Sequence, residues 1–286
     1  MARFPQPLDV TGSVAVFADA HLGQVERDAE DFLQALEGVR RRGFGTAVLL
    51  GDIFHVFIGD PKLETPLLRN TLRGLREVAM RGLSLRYVEG NRDFFVAGSP
   101  YASPFASWAL ADGLRIGGSR YAFVHGDRVN TADLPYRFWR LVSKNPVARA
   151  ALGAIPGPLA RAIVARTEAR LYRSNFKHKT RLPEAALLAE GRAARRAGYD
   201  ALLVGHFHVE RTLVAEGAVT HVLPAWLEER KHAEITPEGR LAIVEEETAP
   251  RAVRRGFGAL SSGEGGTGET MRARPSSVGT AKRSAG

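Results

Sequence analysis

The sequence predicts an α/β protein in which helices cover a central sheet, and three observations carry the prediction. Five short apolar runs, rich in Val, Leu, Ala and aromatics, recur between Ser13 and His206, each closing on a glycine or a polar residue. Amphipathic helical patterns fill the gaps between the first three runs. The 286 residues are 44% hydrophobic and 25% charged, enough for one large core or two small ones, which rules out collagen-like, coiled-coil and wholly disordered classes.

The first run is SVAVFADA, starting at Ser13, followed by a helical pattern from Arg27 to Arg42. TAVLLGD ends at Asp52 and precedes a second helical pattern, Leu67 to Arg81. LSLRYVEGN ends at Asn91, YAFVHGD at Asp127 and DALLVGH at His206. Such runs read as buried strands ending in loops, and their alternation with helices points to layered α/β architecture. The later stretches TLVAEGAVTHVLPAW and AEITPEGRLAIVEEE read as β-hairpins. The domain is expected to span 1–249, with a basic helical insertion at about 130–182. From 250 to 286 the chain turns rich in Gly, Ser and Thr and is expected to be a disordered basic tail.

There is no cysteine, so disulfides, thiol nucleophiles and thiolate-bound metals are excluded and a reducing compartment is expected. The N-terminal stretch lacks an apolar run long enough for a signal peptide, and no run of about 18 apolar residues occurs, so a cytosolic protein is expected. The net charge of +9 is unevenly placed. Arg137 to Arg181 holds eleven Lys/Arg against Glu168, and the last 37 residues hold seven against two acids, leaving an acidic body. Nucleic acid, a phosphorylated substrate and an anionic membrane all suit that pattern.

The run endings hold the chemistry. They supply Asp19 and His21, then Asp52, then Asn91-Arg92-Asp93, then His125, then His206 and His208. Open α/β sheets place ligands at the carboxyl ends of strands. Two divalent cations about 3.5–4 Å apart clamp a phosphoryl group and stabilise both attacking and leaving oxygens. A bridging ligand must offer two oxygens, which suits Asp52. Asp19, His21 and His208 complete one ion, and Asn91, His125 and His206 the other. Nitrogen and oxygen donors without thiolate suit Mn, Fe or Zn. A bridging water acidified by both ions then attacks phosphorus in line.

The five endings, in this order from about Ser13 to His208, resemble the calcineurin-like metallophosphoesterase superfamily. Where most of its members carry His, this chain carries Arg92. The Gly90-Asn91-Arg92-Asp93-Phe94 form, with Gly51-Asp52-Ile53-Phe54 followed by Ile58-Gly59-Asp60, is similar instead to the UDP-2,3-diacylglucosamine pyrophosphatase family of lipid A synthesis. The resemblance continues through the insertion and more loosely to Trp226. It implies a sandwich of two central β-sheets flanked by helices, carrying a helical insertion cap. It implies a hydrolase that splits the pyrophosphate of UDP-2,3-diacylglucosamine into UMP and 2,3-diacylglucosamine 1-phosphate on two divalent ions, Mn²⁺ first among them. The implied reaction centre is Asp52, Asn91, Arg92 and His206, the last three also touching substrate. An acid and an aromatic after the fourth ending are matched by Asp133 and Tyr136. The family's Ser, Asn and Lys in the insertion are matched in type by Ser174, Asn175 and either Lys177 or Lys179, at a different spacing. The expected location is the cytoplasmic face of the inner membrane, bound peripherally, with no nucleic-acid partner; the sequence leaves the oligomeric state open, a monomer being favoured.

Arg92 suits transition-state charge because a guanidinium stays ionised and offers forked donors; its plainer reading is a salt bridge to Asp93. Phe138, Trp139, Leu141, Val142, Leu152, Ile155, Leu159 and Ile163 place apolar stripes beside arginines in the insertion. Such helices shelter acyl chains and offer cations to phosphate, or else pack their apolar face on the core and leave their arginines in water. His55, His178, His221 and His232 read as packing or surface residues, with His55 close enough to the second ending to line the pocket; Asp60 reads as a turn residue or as support for a ligand, and Trp226 as packing. Other phosphodiesterases are disfavoured by Arg92 and the long insertion. A nuclease is disfavoured by the insertion's apolar content, and a non-catalytic scaffold by the filled ligand positions.

Overall fold

The computed structural model describes residues 4–175 and 182–246, with side chains to 167 and from 182. The expected tail from 250 lies outside the described residues. The elements run β1 (Leu8–Asp9), β2 (Val14–Phe17), α1 (Glu26–Arg41), β3 (Thr46–Leu50), β4 (Phe57–Ile58), α2 (Pro66–Met80), β5 (Ser84–Val88), β6 (Asp93–Phe94) and β7 (Ser107–Ala109). They continue with β8 (Ala111–Ile116), β9 (Ser119–Val124), α3 (Leu134–Ser143), α4 (Pro146–Ala154), α5 (Gly157–Asn175) and α6 (Glu184–Arg196). The chain closes with β10 (Ala201–Val204), β11 (Arg211–Ala215), β12 (Ala218–Val222), α7 (Trp226–Glu229), β13 (Lys231–Ile235) and β14 (Leu241–Glu245). All five apolar runs and both hairpins form strands where the sequence places them.

Two six-stranded sheets result, ordered β14-β13-β2-β3-β5-β7 and β1-β8-β9-β10-β12-β11. In the first, β2, β3, β5 and β7 are parallel; in the second, β10 lies parallel to both β9 and β12. Side chains alternate across a strand, so each sheet has two faces to bury. Val14, Val16, Val48, Leu50 and Val88 of one sheet meet Leu114, Ile116, Phe123 and Leu203 of the other in the inter-sheet core. Ala15, Phe17, Leu49, Leu85 and Tyr87 face the opposite way, onto Phe32, Leu36, Leu72 and Leu75 of α1 and α2. Leu202 and Val204 pack outward with Leu187 and Ala194 of α6. The layering is therefore helix, sheet, sheet, helix.

Local signals fix the helix ends. Thr65 caps α2 by accepting from Leu68 N at 3.1 Å, with Pro66 in the first turn. Helix α1 has no side-chain cap; it carries Glu26 and Asp28 in its first turn and Arg40 and Arg41 in its last, which complement its dipole. Helix α6 and strands β7 and β8 go beyond the elements read from sequence. In α6 the periodicity is diluted by alanines and by Gly191, where a β-carbon would strike Thr220 Oγ1.

The insertion separates the two readings of its apolar face. Helix α3 buries none of its residues, and Phe138 and Leu141 are 69% and 70% exposed. Arg140 and the capping Lys144 turn toward the body instead, so this amphipathic helix does not pack its apolar face on the core. At the insertion's far end Lys62 Nζ donates to the carbonyls of Leu152, Gly153 and Ile155, while Arg161 Nη1 donates to Lys62 O at 2.7 Å. Asp60 is the turn residue expected, accepting from Lys62 N at 3.1 Å.

Candidate metal centre

Strands β2, β3 and β5 of one sheet and β9 and β10 of the other all end at the same edge of the sandwich, and the predicted donors follow each end. The backbone there is unusual. Asp19, His21, Asp52, His206 and His208 take positive φ values of 53°, 45°, 49°, 71° and 53°. Side chains resist this region, at about 1–3 kcal/mol each, and such strain gathers at functional sites. The left-handed turn swings each donor back over the strand end. Glycines leave room for this: a β-carbon on Gly90 would collide with the Asp52 carboxylate, and one on Gly205 would press on Asp19 Oδ2.

One donor group is Asp19, His21 and His208. His21 Nε2 and His208 Nε2 stand 3.2 Å apart, and Asp19 Oδ1 lies 3.8 Å and 3.4 Å from them. Asp19 is fully buried; its Oδ2 accepts from His206 N at 2.6 Å, while Oδ1 accepts no hydrogen bond. A buried carboxylate oxygen facing two imidazole nitrogens fits a cation's donor set. Burial alone would raise the Asp19 carboxyl, but the charges of His208, His125 and His21 outweigh it and hold it far below the usual range.

The other group is Asp19, Asp52 and His125. Asp52 Oδ2 lies 3.7 Å from His125 Nε2, which also meets Asn91 Oδ1 at 3.1 Å. His125 Nδ1 donates to Leu50 O at 3.1 Å, which directs Nε2 at the carboxylates and at Asn91 Oδ1. The ring of His206 stands 5.1 Å from that of His125. Asp19 thus belongs to both candidate groups and Asp52 to the second. Burial pushes the Asp52 carboxyl up, with His125 opposing and Asp19 adding to it. Burial would lower His125, yet Asp52, Asp19 and Asp127 raise it. Several buried carboxylates in one pocket are what divalent cations neutralise.

Arg92 does not pair with Asp93. Its Nε lies 3.6 Å from Asp52 Oδ2, its backbone N donates to Asp52 Oδ1 at 2.8 Å, and its Nη1 donates to His55 O at 3.0 Å. Asp93 faces the other way, accepting from Gly90 N at 2.7 Å and from Tyr87 OH at 3.0 Å, and so fixes the turn that presents Asn91 and Arg92. Burial, then the neighbouring Asp52, pushes Asp93 up to about 7. His55 lines this pocket, held at about 4 by burial and by Arg92.

Asp133 caps α3, accepting from Tyr136 N at 2.9 Å, and the Tyr136 hydroxyl donates to Asp127. Ser174 and Asn175 end α5 in backbone only; their side chains, with Lys177, His178 and Lys179, lie outside the described residues. Trp226 is packing, as expected, fully buried against Phe32. The sequence reading missed Glu228, whose Oε1 meets His208 Nδ1 at 3.0 Å. It lies beyond the strand-end motifs on α7, and no spacing rule leads to it.

No protein-family model matches the chain. The UDP-2,3-diacylglucosamine hydrolase of Ralstonia nicotianae is 31% identical over 236 residues, covering 77% of this chain and 86% of the relative. That of Klebsiella pneumoniae is 30% identical over 229 residues, covering 77% and 94%. Among solved structures, an archaeal phosphodiesterase aligns over 81% of this chain and 98% of its own, at 10% identity and a TM-score of 0.45. With nearly a third of its residues shared over most of both chains, and with the donors of two metal groups at its strand ends, this chain belongs to the UDP-2,3-diacylglucosamine hydrolase family.

Proposed function

We propose that this protein hydrolyses the pyrophosphate bond of UDP-2,3-diacylglucosamine, releasing UMP and 2,3-diacylglucosamine 1-phosphate. Two divalent ions, Mn²⁺ first among them, would be held by Asp19, His21, Asp52, Asn91, His125, His206 and His208. The convergence of these donors from two sheets, with Arg92 beside them, is the observation that carries the reading. When bound, such ions polarise phosphoryl oxygens and acidify water.

The protein's own groups set up that chemistry. Leu50 O and Glu228 hold the Nδ1 protons of His125 and His208, so both Nε2 lone pairs point inward. Arg92, fixed at Nη1 by His55 O, keeps its Nη2 donors uncommitted among the described residues, in position to meet a phosphate oxygen as charge develops. Asp133, which caps α3 through Oδ1, and Tyr136 beside it are the proposed contacts for sugar hydroxyls. Ser174, Asn175 and Lys177 or Lys179 remain the proposed further contacts.

The lipid half of the reading is supported by the outward apolar face of the insertion, where Leu134, Phe138, Leu141, Val142, Val147 and Leu159 are exposed beside Arg137 and Arg149. Such a face suits acyl chains and an anionic bilayer surface, hence a peripheral protein of the cytoplasmic membrane face. No helix of the described residues is long and apolar enough to cross a membrane. One chain supplies every donor named, which suits a monomer.

The test is release of UMP from UDP-2,3-diacylglucosamine with Mn²⁺, with and without chelator, beside bis-(p-nitrophenyl) phosphate. Chelator-sensitive release that Asp52→Ala abolishes, with little action on the small diester, is expected. Cleavage of the small diester alone would move the protein to general phosphodiesterase chemistry.

A further inference from the structure

The basic insertion invites the view that its cations meet the substrate's phosphates. Two of them do not. Tyr136, Arg140 and Lys144 follow one another at intervals of four on α3 and its C-terminal cap, which puts them on a single helix face. That face points at the body of the protein, while Phe138 and Leu141 point away.

Each member of the stripe grips a loop that bears a predicted ligand. Arg140 Nη1 donates to Asp127 Oδ2 at 2.8 Å, and Tyr136 OH donates to the same oxygen. Asp127 is buried and lies two residues beyond His125. Lys144 Nζ donates to Glu89 Oε1 at 2.9 Å and to Gly90 O at 2.6 Å, directly before Asn91, and sits 5.0 Å from the ring centroid of Phe94. Arg140 Nη2 also reaches Glu89 Oε1 at 3.7 Å, and Trp108 Nε1 donates to Glu89 Oε2 at 3.3 Å. Between these two anchored loops, Asn91 Oδ1 meets His125 Nε2 at 3.1 Å. Helix α3 therefore ties the loop of Asn91 to the loop of His125 from outside, through half-buried cations already engaged by protein carboxylates and a carbonyl.

We infer that Arg140 and Lys144 are positioning residues for the metal shared by Asn91 and His125, setting the distance between its two ligand loops, and are not phosphate contacts. The inference rests on the two-ion reading above. It makes the insertion part of the metal centre's scaffold as well as a cover for substrate. Among the described residues Arg140 and Lys144 bond to neither His21 nor His208, while Asp19 is common to both donor groups.

The experiment is Mn²⁺ titration of the chelator-treated full chain, by calorimetry and by the spin-coupled dimanganese signal in electron paramagnetic resonance. Wild type is expected to bind two ions. Arg140→Met and Lys144→Met are expected to weaken one of them by about 10- to 100-fold, as loss of groups that orient metal ligands does. The other ion keeps its affinity, and the coupled signal fades. Raising Mn²⁺ restores turnover, and Lys144→Arg, which keeps the charge beside Glu89, restores most of the affinity. Phe138→Ala, on the opposite face, changes neither ion. Lys144→Met carries the test should Arg140→Met fail to fold. Both ions unchanged in a folded variant would overturn the inference, as would a raised KM with intact metal binding, which marks a phosphate contact. Two ions bound without release of UMP would sink the substrate assignment and leave this inference standing.

Discussion

Single residues hold the metal centre through their second hydrogen bonds. Glu228 lies on α7 and engages His208 Nδ1 at 3.0 Å, so it orients the ring with Nε2 toward Asp19 and His21. Glu228→Gln is expected to lower Mn²⁺ affinity about tenfold or more while the thermal unfolding midpoint stays put; an unchanged binding isotherm would count against it. Arg92 has the opposite character in the proposed reading, where it acts on substrate. Arg92→Ala is expected to cost about 10²–10³ in kcat with two ions still bound, as removal of one preorganised donor does. Metal content of the purified variant separates the two cases. The ligand types were legible in the sequence because each sits one to four residues past an apolar run. Glu228 was not, because nothing local marks a carboxylate twenty residues from the histidine it orients.

The elements place these groups by their turns. At the end of β5, Gly90 lets the backbone pass against Asp52, whose amide nitrogen would lie 2.6 Å from an added β-carbon. Gly90→Ala is therefore expected to part the two loops and cut turnover by about 100-fold, since misplacing reacting groups by an ångström has that effect. Circular dichroism should stay native, and loss of the whole fold would refute the local account. The hairpin of β13 and β14 provides a second element-scale prediction. Glu234 Oε1 meets His232 Nε2 at 2.9 Å and Arg42 Nη2 at 2.6 Å. Burial would raise this carboxyl, but those bonds bring it below its ordinary 4.5. As pH falls past 4.5 the unfolded chain takes up the proton first, so the stability Glu234 contributes is complete above 4.5 and is lost below it. The neighbouring Glu246 is raised by burial and works in the opposite sense, so the wild-type profile alone does not isolate the effect. Glu234→Gln does: its deficit in melting temperature should be largest at neutral pH and shrink below 4.5.

At the scale of the molecule, one edge of the sandwich holds the donors and the insertion presents an apolar face. Phe138→Asp with Leu141→Asp is expected to lower the fraction that floats with anionic vesicles while leaving hydrolysis of a short-chain substrate intact. Equal flotation of variant and wild type would remove the membrane contact from the reading. The two variants touch neither donor group, because both side chains point away from the body.

The sequence by itself determined the five strands that lead into the site, the helices between the first three of them, and the proposed donor inventory. Those are set by short-range patterns: apolar runs bury, glycines turn, and His, Asp and Asn follow at fixed steps. The tertiary structure decided which donors lie together, with Asp19 common to both candidate groups. It also decided that Arg92 lies by Asp52 and that α3 turns its cations inward. Helical periodicity states that a helix has two unlike faces, but it is silent on which one meets protein. Here Glu89 and Asp127, far away in sequence, offered partners for the cations, and the apolar face was left outward.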